Sequence, residues 1–542
     1  MCGIFCLLKY GGEEIDLEKA IMCLEKLSAR GPDSLSYKYI KVNENVRLFL
    51  GFTRLAIMDT SSAGIQPFEN DNDYIICNGE IYNYKQLAEK HNISMSSQCD
   101  CEILLPLIKK IGFVDMITKE LDAEFATVFY DSENNKLYAA RDRYGVRPLY
   151  YGFNKAENTI AFGSELKCLH PIMEHIEQLE PNLYAEIGLD QIPDLNNLKN
   201  NLHQYYDYDK LIASSDNNNI ENIKIKINDI FTRAVEKRLE SDRPIGFLLS
   251  GGLDSSLIVS IATKILGPEK IVCFSIGLPG SPDVEAAKCV VEYLGIKQHH
   301  IVPFTIEQGI NEIPTVIKTI ETYDITTIRA STPQYIMAKY IHDNTNIRVL
   351  LSGEGSDEIH GSYKYMRFAP NSEDFHWETI RLLKELCYFD NKRTDRSMAD
   401  NGLEVRVPFL DFEYVEFITN IDPNLLMYKK DYLEKKIIRD AFIGYLPDNI
   451  LYRPKEAFSD AVSSQNVNWY KNIQEIANKT ISDNELEENP YTHNKPEIKE
   501  ALYYRRIFDE IYPGRDNVLP HYWLPRFQTN KVSDPSATVL AD

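Results

Sequence analysis

The chain has no Cys-x-x-Cys pair, no apolar run of membrane-spanning length and no basic leader, and each absence removes a class of protein. Its ten cysteines are scattered through 542 residues, and only Cys99 and Cys101 come near to pairing in sequence. That distribution predicts reduced thiols in a cytoplasmic protein, without a disulfide framework or a zinc site. Asp254 interrupts the longest apolar candidate, so no membrane span is expected. The opening Met1-Cys2-Gly3-Ile4-Phe5-Cys6-Leu7-Leu8 carries neither a basic segment nor a small-residue cleavage site, so no secretory signal peptide is expected. Positive charge is also scarce, with a formal net charge of -22. That balance argues against nucleic acid or an anionic membrane as principal partner and leaves room for a local basic pocket.

What is present is enough chain, 44% of it hydrophobic, to bury more than one core. Residues 2–189 are β-rich: strand-type runs at 46–52, 74–77, 126–130, 137–140 and 159–163 are separated by Gly, Asn and Asp turns, with helical patterns at 17–27 and 100–111. This predicts packed sheets with flanking helices. Asn196-Asn197-Leu198-Lys199-Asn200-Asn201 and Asp216-Asn217-Asn218-Asn219 cannot pack a core, which marks 190–222 as a linker. An amphipathic helix through Ile223, Ile227, Ile230, Phe231, Ala234 and Val235 opens the second domain, 223–526. Strands at 245–249, 271–276, 299–303 and 348–352 then alternate with helices, which predicts a doubly wound parallel sheet with ligands at the carboxyl ends of its strands. Beyond Pro408 the pattern is mainly helical to about residue 511, and 527–542 reads as a flexible tail.

The most informative stretch is Phe247-Leu248-Leu249-Ser250-Gly251-Gly252-Leu253-Asp254-Ser255-Ser256. A buried strand runs into a Ser-Gly-Gly loop, and a helix opens at Asp254 and continues through Leu257, Ile258, Ile261 and Ile265. Glycines let backbone N–H groups close on an anion, the helix end adds partial positive charge, and Asp254 is placed to hold a divalent cation on a pyrophosphate. The structural alternative is a Gly-Ser turn between a core strand and a core helix. The Gly-Lys-Ser/Thr ending of a Walker A loop is missing. The stretch resembles the pyrophosphate loop of ATP pyrophosphatases, which cleave ATP between its α and β phosphates.

Cys2 becomes the first residue once Met1 is removed, and the same residue then carries a thiol and an α-amine able to act as its base. Arg30-Gly31-Pro32-Asp33, Arg54-Leu55-Ala56-Ile57-Met58-Asp59, Asn78-Gly79-Glu80-Ile81-Tyr82-Asn83 and Asp100-Cys101-Glu102 accompany it. Together they resemble the class II glutamine amidotransferase domain, an Ntn-hydrolase αββα sandwich. The resemblance implies that Arg54, with Leu55, Ala56, Ile57 and Met58 alongside, holds the glutamine α-carboxylate. It implies that Asp100 and the backbone around Glu80 hold the α-ammonium, and that Asn78 and the Gly79 N–H stabilise the oxyanion formed by Cys2 attack. Taken singly, Arg54 also reads as a surface ion pair, Asn78-Gly79 as a hairpin turn and Asp100 as a helix N-cap. Arg141-Asp142-Arg143-Tyr144-Gly145-Val146-Arg147-Pro148-Leu149-Tyr150 reads as a charged turn feeding a strand. Cys6 and Cys99 depart from the family pattern close to the glutamine pocket.

A second turn, Leu350-Leu351-Ser352-Gly353-Glu354-Gly355-Ser356-Asp357-Glu358, again follows an apolar strand. Two such turns in one sheet can embrace a nucleotide, and Asp254 with Asp357 makes an all-oxygen magnesium site. Between them, residues 321–332 offer the hydroxyls of Thr326 and Thr327 and the cation of Arg329 to a small acidic substrate. With Val405-Arg406-Val407-Pro408-Phe409-Leu410-Asp411, Arg453-Pro454-Lys455-Glu456-Ala457-Phe458-Ser459-Asp460, Pro520-His521-Tyr522-Trp523 and Asp534-Pro535-Ser536, the whole chain resembles the glutamine-hydrolysing asparagine synthetases.

That resemblance implies synthesis of asparagine from aspartate through β-aspartyl-AMP, with ATP and magnesium, using ammonia freed from glutamine at Cys2. AMP, pyrophosphate and glutamate are the other products. Leu249, Ser250, Gly251, Gly252, Asp254, Ser255, Ser256, Ile276, Ser352 and Gly353 would bind ATP. Thr326, Thr327 and Arg329 would bind aspartate or AMP. Lys455 would neutralise phosphate charge, and Glu354 would serve the ammonia step as general base. Taken singly, Glu354 and Asp357 also read as helix-start residues and Lys455 as a solvated surface lysine.

The resemblance also implies that ammonia does not mix with bulk water, and that the partners are small molecules, with a homodimer left open. Where the family commonly has Phe-Gly-Gly, this chain has Ile359-His360-Gly361-Ser362, which predicts strain at Ser362 if that position needs a positive φ. The rival readings are another adenylating amidotransferase of the same architecture and a silent sensor or scaffold. Intact Cys2, Asp254 and Glu354 argue against the second.

Overall fold

The computed structural model describes residues 1–195, 198–213, 219–427, 433–455, 463, 467–527 and 533–535. Residues 456–460, Ser536, Asn196, Asn197, Asp216, Asn217, Asn218 and most of the expected tail lie outside the described residues. The chain forms two compact units: Met1–Asp207 with Ser241–Arg243 and Ala399–Glu404, and Tyr208–Glu240 with Pro244–Met398 and Val405–Asp542. Among the described residues no helix is long and apolar enough to cross a membrane.

Among the described residues the first unit contains twelve strands: β1 (Gly3–Tyr10), β2 (Ser34–Lys41), β3 (Val46–Arg54), β4 (Phe68–Asn70), β5 (Asp73–Ile81), β6 (Ala123–Asp131), β7 (Lys136–Arg141), β8 (Tyr150–Asn154), β9 (Thr159–Gly163), β10 (His175–Gln178), β11 (Leu183–Gly188) and β12 (Leu202–Gln204). They build one sheet in the order β10-β8-β9-β1-β3-β2 and another in the order β12-β11-β7-β6-β5-β4. Among the described residues, the neighbouring strands β1–β3, β1–β9, β2–β3, β8–β9, β8–β10, β4–β5, β5–β6, β6–β7, β7–β11 and β11–β12 pair antiparallel. Their facing surfaces share a core built by alternation: Ile4, Cys6 and Leu8 from β1, Leu48, Leu50 and Phe52 from β3, Ile76 from β5, and Ala126 and Val128 from β6. Each such aliphatic side chain contributes roughly 1.5–3 kcal/mol when buried. A one-residue slip of β1 would turn its whole set outward, so the core also fixes the position of Cys2.

The boundary after Asp207 lies inside the stretch expected as linker. The reason is β12, which pairs with β11 through Leu183↔Gln204 and extends the second sheet. Residues 100–111 form a 3₁₀ turn, Asp100–Ile103, before the helix Leu104–Ile111. In the charged turn the buried Asp142 carboxylate accepts the N–H groups of Tyr144, Val146 and Arg147, and it carries β7 into β8.

The second unit is organised on β13 (Ile245–Leu248), β14 (Val272–Gly277), β15 (Gln298–Pro303), β16 (Val349–Leu351) and β17 (Glu404–Arg406), in the order β15-β14-β13-β16-β17. Pairs β13–β14, β13–β16 and β14–β15 are parallel. Intervening helices are Leu253–Leu266, Pro282–Leu294, Ile306–Ile320 and Ile325–Asn344. The chain runs from β13 to β14 and β15 on one side, then returns to β16 on the other. The strand order therefore reverses between β13 and β16, the place where open α/β sheets form their ligand crevice. Both glycine turns leave these two strands at their carboxyl ends.

Candidate active sites

In the first unit, register builds the site. Gly3 lies opposite Thr53, which brings Cys2 against Arg54 and Leu55. Cys2 Sγ lies 3.4 Å from the Leu55 N–H, which donates to it, and Arg30 Nε donates to the Cys2 carbonyl at 2.8 Å. Burial pushes the Cys2 thiol up to about 11, with the N-terminal amine and the Leu55 N–H pulling the other way. Met1 is fully buried, and its amine donates to the Leu403 carbonyl at 3.1 Å. Burial lowers that amine to about 5, so it is neutral at pH 7.

Arg54 is 5% exposed, and its guanidinium is oriented by the Ser61 and Asp59 carbonyls. Asn78 is 1% exposed, and its side-chain Nδ2 is buried without a hydrogen-bond partner. An orphaned amide donor of this kind is costly unless something arrives to accept from it. Asn78-Gly79 is not a hairpin turn: both residues lie inside β5, paired with Ala126 and Phe125 of β6. Asp100 belongs to the 3₁₀ turn instead of capping it, and its Oδ2 accepts the Ile81 N–H at 2.6 Å. Leu55, Ala56, Ile57 and Met58 are buried after β3, and Glu80 is buried on β5. Cys6 joins the core between the sheets.

In the second unit, a cavity of 210 Å³ opens at the β13/β16 crevice. Leu249, Ser250, Gly252, Asp254, Ser255, Ile276, Ser352, Gly353, Glu354, Asp357 and Lys455 line it, as does Thr326. Gly251 instead backs onto the helix Pro282–Leu294: its φ is +75°, and an added Cβ would stand 2.5 Å from the Ala287 nitrogen. Ser256 is fully buried behind the loop, its hydroxyl without a partner. Arg453 bonds the Gly251 carbonyl at 3.2 Å and Asp283 at 2.7 Å, tying loop to helix.

The electrostatic centre is a four-charge cluster. Lys435 Nζ lies 2.7 Å from Asp254 Oδ1, 2.8 Å from Asp254 Oδ2 and 2.7 Å from Asp357 Oδ1. Lys455 Nζ lies 2.6 Å from Asp357 Oδ2 and 3.9 Å from Asp254 Oδ2. Burial opposes the charge on Asp357, but the two ammonium groups overcome it and hold the carboxyl well below its ordinary range. Burial likewise opposes the charge on Lys455, which Asp357 and Asp254 hold well above the usual lysine range. Glu354 is pushed up by burial against the pull of Arg393, 2.6 Å away, which suits a base that must also release its proton. The two aspartates already converge on one cationic centre, so their donor set fits a magnesium ion bound jointly with phosphate oxygens. Among the described residues no cluster of three or more His, Cys, Asp and Glu side chains offers an all-protein metal cage.

The structure places the members of one expected group apart. Of Thr326, Thr327 and Arg329, only Thr326 reaches the cavity, followed along the same helix by Ala330, Gln334 and Met337. Thr327 is turned away by helical phase, and its hydroxyl donates to the helix cap Asp324 at 2.7 Å. Arg329 is 1% exposed and forks onto Glu500 at 2.8 and 2.6 Å, with Asp534 at 3.0 Å. The residue missed by sequence reasoning is Lys435. Its neighbour Lys436 is half exposed and pairs with Asp440, and no spacing in the sequence separates the two.

Two folds with separate sites are matched by two family profiles. The profile described as glutamine amidotransferase domain covers residues 1–209, and that described as asparagine synthase covers 226–375 and 367–528. They define an amidotransferase joined in one chain to an ATP-using synthetase. Among curated relatives, the probable glutamine-hydrolysing asparagine synthetase of Acanthamoeba polyphaga mimivirus is 66% identical over 550 residues and covers all of both chains. The glutamine-hydrolysing asparagine synthetases of Rattus norvegicus and Gallus gallus are each 38% identical, covering 100% of this chain and 98% of their own. The chain belongs to the glutamine-hydrolysing asparagine synthetases.

Proposed function

We propose that this enzyme, an ATP-dependent asparagine synthase using glutamine, works through β-aspartyl-AMP with Cys2 as the glutaminase nucleophile. After Met1 is removed, the Cys2 α-amine takes the thiol proton and Sγ attacks the glutamine side-chain amide. Arg54 faces the α-carboxylate and Asp100 the α-ammonium, and the oxyanion is met by the Asn78 amide and the Gly79 N–H. The proton passes to the leaving nitrogen, ammonia departs, and water hydrolyses the thioester to glutamate.

In the second unit a carboxylate oxygen of the aspartate side chain attacks the α-phosphorus of ATP, and the bond to the bridging oxygen of pyrophosphate breaks. The Ser250–Ser255 loop, Ser352 and Gly353 cradle the phosphates, while Leu249 and Ile276 flank the adenosine. Lys435 and Lys455 neutralise the leaving pyrophosphate. Asp254 and Asp357 would hold a magnesium ion, which would supply further charge neutralisation on the phosphates. Ammonia then attacks the acyl carbon, Glu354 takes a proton from the nitrogen, and AMP leaves. Thr326, whose buried hydroxyl has no hydrogen-bond partner, is available to the amino-acid substrate.

The observation that supports this reading best is the meeting of Asp254 and Asp357, from two separate glycine turns, on one cation at the crevice. Small-molecule substrates, a cytoplasmic setting and a homodimer complete the proposal. The test measures asparagine formed with glutamine or with ammonium chloride, for the wild type and Cys2→Ala. The expected variant retains synthesis from ammonium and loses synthesis from glutamine. Retained glutamine use would remove Cys2 from the mechanism.

A further inference from the structure

The short helix Ser356–His360 and the residue two beyond it bring three hydroxyl or imidazole groups behind the two aspartates. Ser356 Oγ lies 2.7 Å from Asp254 Oδ1, and His360 Nδ1 lies 3.1 Å from the same Oγ. The other ring nitrogen, Nε2, lies 3.1 Å from the Tyr414 hydroxyl. Ser356 and Tyr414 are fully buried and His360 is 1% exposed, so no bulk water competes for these bonds. Ser362 Oγ reaches Asp357 Oδ1, and its N–H donates to the Asp357 carbonyl at 3.0 Å.

The direction of the chain is forced from its anionic end. An ionised carboxylate only accepts, so the Ser356 hydroxyl donates to Asp254. Ser356 oxygen then accepts from His360 Nδ1–H, and the bare Nε2 accepts from the Tyr414 hydroxyl. Burial keeps the His360 ring neutral, lowering it to about 3, so the ring carries a single N–H. The turn itself is unstrained: Gly361 takes the positive φ, +58°, and Ser362 does not. The side chain at 362 is therefore free to serve Asp357.

Each aspartate thus has Oδ1 tied from behind by a serine hydroxyl and Oδ2 turned toward Lys455. We propose that His360 is a positioning residue which, through Ser356, fixes the Asp254 carboxylate for cation binding, and that Ser362 does the same for Asp357. This rests on the reading of that aspartate pair as the magnesium site.

The experiment uses the full chain and reads magnesium-dependent ATP binding by calorimetry, together with kcat and KM for MgATP in ammonia-driven synthesis. Glutamine hydrolysis at Cys2 serves as a folding control. His360→Leu fills the space without donating, whereas the amide of His360→Asn places an N–H near the Nδ1 position. The expected loss for His360→Leu is roughly tenfold in MgATP affinity, the scale of one hydrogen bond supporting a charged group, with kcat changed less than KM. His360→Asn should recover most of that loss, Ser356→Ala should match His360→Leu, and the double variant should be no worse than Ser356→Ala alone. Ser362→Gly should show a loss of similar size.

Equal losses for the Leu and Asn variants, or full additivity in the double variant, would overturn the proposal for His360. Unchanged MgATP affinity in His360→Leu would do so as well, and in Ser362→Gly it would remove the Ser362 half. Asp254→Asn and Asp357→Asn are run alongside. If they also leave the magnesium dependence unchanged, the metal reading falls; if they alone shift it, the metal reading stands and the positioning chain falls.

Discussion

Replacing Lys435 by methionine keeps the length and volume of the side chain and removes the charge shared by Asp254 and Asp357. The lysine is 2% exposed and touches three carboxylate oxygens within 2.8 Å. Removing one partner of a buried ion pair costs roughly 3–5 kcal/mol, because the remaining charge stays buried. Lys455 still neutralises Asp357 directly, so the lower end, about 3 kcal/mol, applies here. A unit of roughly 300 residues loses about 0.6 kcal/mol per degree near its midpoint, so the melting temperature should fall by about 5 °C. The assay is scanning calorimetry of wild type and variant, each in EDTA and in excess magnesium. In EDTA the full deficit should appear. In magnesium a divalent ion can take the place vacated between the carboxylates, and the deficit should shrink to about 2 °C or less. The variant should also bind magnesium more tightly, since an internal competitor is gone. A deficit that is equal in both buffers would refute the shared-cation reasoning, and no deficit at all would refute the energetic estimate.

Asn78→Ala removes a side-chain Nδ2 that has no hydrogen-bond partner in the structure, so the melting temperature should hardly move while glutamine hydrolysis falls by roughly 10²–10³-fold; a large stability loss would assign Asn78 to structure instead. His299 donates from Nε2 to Ser275, whose hydroxyl donates to the Leu249 carbonyl at the start of the Ser250–Ser256 loop. Burial lowers His299 to about 4, below its unfolded value near 6.5. The unfolded chain therefore binds the extra proton first, and stability should decline as pH falls from about 6.5 toward 4, by about 1–2 kcal/mol after allowance for partial exposure. His299→Gln should flatten that segment of a denaturant-midpoint versus pH curve, and an unchanged slope would exclude His299 as its source.

The Ser250–Ser256 loop was legible because strand, loop and helix are contiguous and each obeys a local rule. Asn78-Gly79 shows the limit of such rules: the dipeptide carries a strong local turn signal, yet pairing with β6, some fifty residues away, draws it into a strand. In the segment after Glu321 the residue types were suggestive, but which of Thr326, Thr327 and Arg329 faces the cavity depends on helical phase, and that is set by what the helix packs against. Lys435 was illegible for a related reason. Its left-handed backbone at φ 58° sends it inward from a lysine-rich stretch whose next residue goes to solvent. The departures at His360 and Ser362 were visible as departures, but their partners Ser356, Tyr414 and Asp357 are united only by the folded turn.

The reversal of strand order at β13 and β16 would make a nucleotide bound there a fastener as well as a reactant. The turns it would bridge are separated in sequence by the helices Leu253–Leu266, Pro282–Leu294, Ile306–Ile320 and Ile325–Asn344, so a ligand that grips both closes a long loop of chain. Saturation at a hundred times its dissociation constant adds about 2.7 kcal/mol to the folded state, and that gain is shared by every element between the two turns. Hydrogen exchange in β14 and β15, which touch neither turn in sequence, should therefore slow on nucleotide binding together with β13 and β16, as one cooperative block.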